Sequence, residues 1–194
     1  MERDIREIKN GATCNYMTVI ISDESKERWG SALEKELLQS GTQVVHFIAN
    51  AINVEPCTSC GSCGGKTFGR CVIQDDMQTV LPKIVTCRAL VLVSPAVFGG
   101  VSRHIKKVMD RMMPIADPRY RVSDGEMIKG MRNQKILYHM IGFGDKLSEA
   151  ERTAFISLHK ENCIIMNVKG RAFILDSNSK TDAIKKIANE VSYE

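Results

Sequence analysis

The chain has 194 residues, of which 43% are hydrophobic, 26% charged and 6% aromatic, and its formal net charge is +4. This length fits a single domain over residues 1–194 that buries about 70% of its unfolded surface, so the fold needs no disulfide or metal for stability. Because the net charge is small and aromatic residues do not interleave with basic ones, nucleic-acid binding is disfavoured. The start of the chain lacks the apolar core of a secretory signal, and no apolar run approaches a membrane span. A cytoplasmic protein with no membrane association is therefore expected.

The first quarter of the chain predicts a strand, a helix and a second strand. Residues 1–15 are interpreted as an N-terminal extension. The β-branched run Met17–Ser22 predicts a buried strand. Residues 29–38 place their apolar side chains on one face of a helix, and Gly41 lies where a C-terminal helix stop is expected. Gln43–Ile48 predicts the second strand.

The rest of the chain continues the alternation of helix and strand. The predicted elements, in order, are a helix opened by Asp75 and Asp76, a strand over 89–94, a helix over 101–113, a long excursion or lid over 114–130, a strand over 136–141, a helix capped by Ser148 and Glu151, a fifth strand over 163–168 and 172–175 interrupted at Gly170, and a closing helix over 180–191. This order predicts an α/β fold of three layers, in which a five-stranded parallel sheet carries helices on both faces. Five such strands suit the order 2-1-3-4-5, with a ligand site beyond the carboxyl ends of strands 1, 3 and 4.

A cysteine-rich loop over residues 57–71 follows the second predicted strand. Cys57, Cys60, Cys63 and Cys71 are spaced C-x2-C-x2-C-x7-C, and four glycines lie between them. Glycine tolerates the positive φ angles that wrapping around one centre demands. The spacing favours a cubane iron–sulfur cluster. Zinc usually takes two separated C-x2-C pairs and is a weaker alternative, and a loop of free thiols is the other alternative.

Several stretches resemble the flavodoxin-like NAD(P)H-dependent FMN reductases, and most of all their iron–sulfur flavoprotein branch. They are the run from Cys57 to Met77, the run from Ser94 to Ser102, the pair Lys106 and Lys107, and the pair Asp110 and Arg111. The similarity covers about residues 16–145. It implies an oxidoreductase with FMN at the carboxyl edge of the sheet and a [4Fe–4S] cluster on the four cysteines. It also implies ferredoxin or NAD(P)H as electron donor, and a homodimer or larger assembly.

The resemblance assigns the FMN phosphate to a loop after the first strand. Four residues there are candidate phosphate contacts: Ser22, Ser25, Lys26 and Ser31. This loop departs from the family's Gly-Ser-Pro-Arg pattern, because Asp23 and Glu24 replace small neutral residues and Glu27 adds a third acid. A carboxylate close to a phosphate dianion is repulsive by about 1 kcal/mol or more at a partly buried site. Alternatively, the acids are favourable neighbours of the first helix N-terminus.

Two further loops are assigned to the isoalloxazine ring by the resemblance. The second loop supplies Ser94, Pro95, Ala96, Val97, Phe98 and Gly99, and Val97 stands where the family usually has a tyrosine. The third loop supplies Gly142 and Gly144, which would allow close approach of a ring. An ordinary strand–helix connection and a plain turn are the respective alternatives.

No side chain is assigned as a catalytic acid, base or nucleophile, because a bound flavin would carry the chemistry. His46 and His139 lie in predicted strands, and His104 and His159 lie on predicted helices, so all four are interpreted as structural. Two other functions stay open. One is an electron carrier, or a non-catalytic partner subunit, whose phosphate loop no longer holds a flavin. The other is a plain FMN reductase whose cysteines bind no cluster.

Overall fold

The structure, a computed structural model, describes residues 17–25, 28–176, 179 and 181–193. The predicted extension over residues 1–15 and the candidate phosphate contact Lys26 lie outside the described residues. The strands are β1 (Met17–Ser22), β2 (Gln43–Ile48), β3 (Ala89–Pro95), β4 (Arg121–Ser123), β5 (Glu126–Ile128), β6 (Leu137–Phe143) and β7 (Ala172–Leu175), and the helices are α1 (Trp29–Gln39), α2 (Met77–Thr86), α3 (Arg103–Asp110), α4 (Glu149–Met166) and α5 (Thr181–Tyr193).

A parallel sheet of five strands in the order β2-β1-β3-β6-β7 forms the centre of the fold. The predicted α/β fold and its strand order are confirmed, since β6 and β7 are the fourth and fifth strands of the sheet. All seven residues of β3 are buried, as expected for a central strand covered on both faces. No helix within the described part of the chain combines the length and the apolar character needed to cross a bilayer.

Alternate side chains of the central strands build two cores, one on each face of the sheet. This alternation follows from the two-residue side-chain period of a strand. One core joins strand residues such as Val19, Leu90 and Met140 to α2, α3 and α4. The other joins Ile20 and Val91 to α1 and α5. The carboxyl ends of β1, β3 and β6 therefore meet between the two helical layers, at one edge of the sheet.

The prediction of a strand over 163–168 was wrong, because α4 continues to Met166. Phe155, His159, Cys163 and Met166 follow one another at steps of four, four and three residues, which places them on one helix face. Cys163 and Met166 pack against the core together with Phe155. The helix ends where Asn167 takes a left-handed conformation with φ of 52°. The apolar run at 163–166 is thus the last turn of a helix, and the fifth sheet strand is β7 alone.

Two other elements differ in detail from the prediction. Helix α3 begins at Arg103 because the Ser102 side chain accepts a hydrogen bond from the Ile105 backbone N–H and caps the helix. The excursion over 114–130 contains an antiparallel hairpin of β4 and β5. Its turn residues Asp124 and Gly125 have φ angles of 53° and 83°. An Asp-Gly pair with two positive φ angles is the signature of a type I′ turn, a signal that the sequence carried.

The predicted capping box at the start of α4 is confirmed. The Ser148 hydroxyl accepts from the Glu151 backbone N–H at 3.3 Å, and Glu151 accepts from the Ser148 backbone N–H at 2.9 Å. Ser148→Ala is expected to lower the free energy of unfolding by about 1 kcal/mol, because one helix N–H loses its partner. Urea denaturation measures this loss. Ser157→Ala is the matched control, since Ser157 is exposed within the same helix and its loss should change stability by less than about 0.5 kcal/mol. Equal losses in the two variants would contradict the role given to the cap.

Candidate functional site

The four cysteines of the predicted cluster loop line one cavity of about 530 Å³, which Met109, Asp110 and Met113 close from the side of α3. The loop includes a short 3-10 helix over Ser62–Gly64. Ser59, Gly61 and Gly69 have positive φ angles of 52°, 70° and 77°, so the backbone turns tightly between the thiols. The structure therefore brings Cys57, Cys60, Cys63 and Cys71 around a common space.

The thiols of this loop interact electrostatically. Burial, followed by the nearby Cys71, Cys57 and Cys60, raises the pKa of the Cys63 thiol. Hydrogen bonds from Ser62 lower the pKa of the Cys60 thiol. All six cysteines among the described residues are free thiols. In the same part of the chain, no group of three or more His, Cys, Asp or Glu side chains is arranged to hold a metal ion.

A buried ion pair fastens the cysteine loop to the end of α3. The Arg111 guanidinium donates to both oxygens of Asp75, with Nη1–Oδ2 at 2.6 Å and Nη2–Oδ1 at 2.9 Å. Both side chains are essentially buried, at 1% and 0% exposure. Burial would raise the pKa of the Asp75 carboxyl, but the Arg111 guanidinium, with two backbone N–H groups, holds it below its usual value. Burial would lower the pKa of Arg111, but Asp75 and the Cys71 thiol raise it.

Both ends of the cysteine loop meet at this ion pair. Arg111 also donates to the Glu55 carbonyl at 2.8 Å, before the first cysteine, and the Glu55 backbone N–H donates to Asp75 at 2.8 Å, after the last one. The Asn53 backbone N–H donates to Asp76 at 2.7 Å, and Lys107 donates to the Val54 carbonyl at 2.6 Å. Helix α3 thus fixes the position of the loop through Arg111 and Lys107.

The first predicted flavin loop, after β1, is filled by the carboxylate of Glu24. The Ser31 backbone N–H and hydroxyl each donate to this carboxylate at 2.9 Å, and the Ser22 hydroxyl donates to it at 3.0 Å. Arg28 forms an ion pair with it at 3.5 Å. The Glu24 side chain is only 6% exposed. Two of the candidate phosphate contacts, Ser22 and Ser31, are therefore engaged by a carboxylate of the chain itself at the N-terminus of α1.

Asp23 fills the adjacent end of the same loop. Its carboxylate accepts from the backbone N–H and the hydroxyl of Ser25, and lies 3.1 Å from the His104 Nδ1. Burial would raise the pKa of Asp23, but hydrogen bonds from Ser102, Ser25 and His104 outweigh burial and lower it. Because Ser102 is the N-cap of α3, this carboxylate lies beside a second helix N-terminus. The third described phosphate candidate, Ser25, is thus engaged as well.

His46 supports the first loop from β2. Its Nε2 lies 2.7 Å from the Ser22 hydroxyl and its Nδ1 lies 2.8 Å from a carboxylate oxygen of Glu34 on α1. Ser22 is fully buried. A hydrogen-bonded chain therefore runs from Glu34 through His46 and Ser22 to Glu24. These hydrogen bonds hold the Ser22 hydroxyl inside the fold.

The second predicted flavin loop presents two apolar side chains to solvent. Ser94 and Pro95 are buried, and Ser94 Oγ accepts from the Ser102 backbone N–H at 2.8 Å. Val97 is 44% exposed and Phe98 is 93% exposed. Phe98 has a φ of 50°, an uncommon conformation for a non-glycine residue. This geometry leaves the Phe98 ring free to contact a ligand, as the resemblance implies.

The glycines near the third predicted loop, and Gly99 of the second, make room for the protein's own side chains. A Cβ at Gly142, which lies within β6, would meet the Phe155 ring at 2.9 Å, and a Cβ at Gly144 would meet Leu147 at 3.1 Å. A Cβ at Gly99 would meet the Ala154 methyl group at 2.5 Å. Close packing of α4 and its preceding loop against the sheet edge therefore accounts for all three.

A second cavity, of about 450 Å³, separates the second loop from the cysteine loop. Gly100 and Val101 line one end, and the cysteine cavity shares Met109, Asp110 and Met113 with it. Its walls are mainly apolar and include Met109, Met112, Met113, Met131 and Met166. The two cavities therefore share one wall, formed by the end of α3 and the residues that follow it.

No family model matches this chain. Its segments are similar to curated proteins named iron–sulfur flavoproteins. One from Methanocaldococcus jannaschii is 40% identical over 62 residues, 32% of this chain and 31% of that protein. One from Archaeoglobus fulgidus is 39% identical over 82 residues, 41% of this chain and 36% of that protein. The resemblance to iron–sulfur flavoproteins is confirmed. The matched segments span about a third of the lengths of these two relatives.

Solved structures show the same fold. An azoreductase from Bacillus anthracis superposes with a TM-score of 0.65 at 7% identity, covering 90% of this chain and 99% of that one. An NAD(P)H:quinone oxidoreductase from Methanothermobacter marburgensis superposes with a TM-score of 0.64 at 11% identity, covering 92% and 96%. At these identities the likeness concerns the fold, which is flavodoxin-like, as the sequence predicted.

The two implied cofactors fit the described residues unequally. The cysteine loop has the donor chemistry of a cluster site, because its four cysteines line one cavity and a buried guanidinium next to Cys71 would offset the charge of a thiolate-bound cluster, but its side chains are not gathered as metal ligands. The first loop does not fit the FMN phosphate, because Glu24 already takes the donors that a phosphate needs. The sequence pointed to the acids at 23 and 24, but it did not show that their carboxylates fold inward. It also assigned Asp75 only to a helix terminus and missed its pairing with Arg111.

Asp75→Asn is expected to lower the free energy of unfolding by about 3–5 kcal/mol, because it leaves the Arg111 charge buried without its partner. Since the pKa of Asp75 is lowered on folding, its stabilising contribution is present at neutral pH. That contribution is lost as the pH falls below about 4. The variant should therefore lose part of the acid sensitivity of the wild type. Urea titrations at pH 7 and at about pH 3 measure both effects.

Asp110→Asn is the matched control, because Asp110 forms an ion pair with Lys106 on the same helix with both side chains about half exposed. Removing an exposed pair costs at most about 1 kcal/mol. If Asp75→Asn cost no more than Asp110→Asn, the ion pair with Arg111 would not be what fastens the loop.

Proposed function

We propose that this chain is a redox protein of the iron–sulfur flavoprotein kind, which passes electrons between a [4Fe–4S] cluster and a flavin. Cys57, Cys60, Cys63 and Cys71 would hold the cluster. The observation that carries the proposal is that these four cysteines, whose spacing along the sequence favours a cubane cluster, line one cavity. The names of the similar curated proteins support the same reading.

The residues of this chain would position the two centres and set their surroundings. When bound, the cluster would transfer single electrons and the flavin would accept or donate one or two. Arg111 would hold the cysteine loop on α3 and place a positive charge next to Cys71. Phe98 and Val97 would contact the flavin ring from the second loop. Burial and hydrogen bonding of this kind tune the potential of a cluster.

The flavin is expected at the carboxyl edge of the sheet. FMN is supported by a Bacillus anthracis protein described as an FMN-dependent NADH-azoreductase in complex with FMN, which is 13% identical and superposes with a TM-score of 0.55. Glu24 opposes FMN, because its carboxylate takes the place of the phosphate at the N-terminus of α1. The exposed side chains of the second loop therefore favour binding of a flavin ring, whereas Glu24 disfavours binding of the flavin phosphate.

Ferredoxin or a reduced nicotinamide would be the electron donor, and the chain would work as a homodimer or larger assembly. Val122 and Met127 on the β4–β5 hairpin are 72% and 63% exposed, and Tyr120 beside it is 58% exposed. Neighbouring exposed apolar side chains of this kind favour an interface with another chain.

A second candidate function is an electron carrier, or a partner subunit of a redox assembly, that holds a cluster and no flavin. The Glu24 carboxylate at the phosphate position favours it. Absorption spectroscopy with iron and sulfide analysis, on protein purified without oxygen, separates the candidates. Flavin bands over a broad cluster shoulder, with roughly four irons per chain, would establish the two-centre protein. A shoulder without flavin would select the carrier. Stoichiometric flavin without iron would select a plain flavin reductase.

Cys60→Ser is expected to remove the cluster, so that iron, sulfide and the visible shoulder all fall to background, because a hydroxyl does not replace a thiolate ligand. Cys163→Ser is the control. Cys163 lies on α4 outside the cysteine loop, and burial raises the pKa of its thiol to about 11, so it is protonated at neutral pH. Iron and sulfide should be unchanged in that variant. Wild-type iron content in Cys60→Ser would rule out Cys60 as a ligand.

A further inference from the structure

The N-terminus of α1 is occupied from within the chain. Glu24 accepts the Ser31 backbone N–H, the Ser31 hydroxyl and the Ser22 hydroxyl. A backbone N–H and hydroxyls at a helix N-terminus are the groups that usually hold a phosphate. The carboxylate therefore satisfies the same donors with the same sign of charge.

The surroundings of Glu24 are shaped around the carboxylate. A Cβ at Gly30 would lie 2.7 Å from the Glu24 Oε1 and 2.4 Å from the Ser22 Cβ, so any side chain at this position would displace them. On the opposite side, His46 holds the Ser22 hydroxyl at 2.7 Å and is itself held by Glu34. Glu24 thus lies in a fitted site and not on a free surface.

The carboxylates among the described residues of this loop oppose a second anion. Asp23 is 2% exposed and lies one residue from Glu24, so the described part of the loop already holds two carboxylates. Arg28 pairs with Glu24 but is 79% exposed, where screening weakens its effect. A phosphate dianion would meet like charge at short range, in a place where water is largely excluded.

The second loop, over residues 94–99, carries no carboxylate. Phe98 and Val97 are exposed at the second loop, and neither bears a charge. A neutral isoalloxazine with an uncharged ribityl chain could therefore contact this edge without a group that competes with Glu24.

We infer that Glu24 is a built-in substitute for the flavin phosphate, and that this chain accepts a flavin without a phosphomonoester, of the riboflavin class, in preference to FMN. The inference rests on the proposed function for its flavin, but the role of Glu24 at the N-terminus of α1 stands on the contacts alone. Glu24 is thereby a specificity-determining residue.

Titration of flavin-free protein with riboflavin and with FMN, followed by flavin fluorescence, tests the inference. The wild type should bind riboflavin at least as tightly as FMN. Glu24→Ser should shift the ratio of the two affinities toward FMN by about tenfold or more, because the donors are released and one charge is removed. Glu36→Gln is the control, since it removes one acid of α1 outside the loop, and it should leave the ratio unchanged.

A second measurement needs no flavin. Inorganic phosphate should raise the melting temperature of Glu24→Ser in a saturable way, and should not do so for the wild type or Glu36→Gln. Phosphate binding by Glu24→Ser without flavin binding by any variant would keep the role of Glu24 and remove the flavin from the proposed function. Wild-type protein that binds FMN tenfold more tightly than riboflavin would overturn the inference. So would a Glu24→Ser variant that shows neither a changed ratio nor phosphate binding.

Discussion

The ion pair between Arg111 and Asp75 is the contact on which the cysteine loop depends. It joins the residues before the first cysteine to those after the last, and both to the end of α3. Removing two charges from water costs several kcal/mol, so such a pair adds little net stability and is better understood as fixing geometry. The Arg111 guanidinium offsets part of this cost by donating hydrogen bonds to the Glu55 and Ile73 carbonyls as well as to the Asp75 carboxylate. A loop rich in glycine, with few apolar anchors of its own, thereby obtains a defined position beside α3.

A second constraint acts at the carboxyl edge of the sheet, where the helices α1 and α3 begin. Helix N-termini carry partial positive charge and unsatisfied N–H groups, which attract anions. In this chain Glu24 and Asp23 supply those anions from the loop after β1. The flavodoxin-like fold is thus retained while the chemistry of its first loop is changed. Fold and ligand are separate properties here, because neither Glu24 nor Asp23 belongs to the two cores that hold the helices on the sheet.

The candidate site is therefore divided into two parts with different requirements. The cysteine cavity needs thiols and a stable frame, and α3 supplies the frame. The proposed flavin edge would need exposed ring contacts, which Phe98 of the second loop would supply. Met109 and Met113 line both the cysteine cavity and the neighbouring cavity that reaches the second loop. Helix α3 contacts both parts, so its position sets the distance between them.

The sequence by itself determined the fold and the cysteine loop. Three features could be recognised from neighbouring residues alone: the short apolar runs of the strands, the capping box at Ser148 and the spacing of the cysteines. Each is a local signal, so it does not depend on which distant residues it contacts. The run at 163–166 misled because a short apolar segment fits a strand and a helix end equally well, and only packing of α4 against β6 decided between them. Only the tertiary structure showed that Arg111 meets Asp75, which is 36 residues away, and that Glu24 turns inward onto Ser31. Such pairings depend on which segments the sheet brings together and on which hydrogen-bond donors it leaves unsatisfied. Neither can be deduced from the local sequence around these residues.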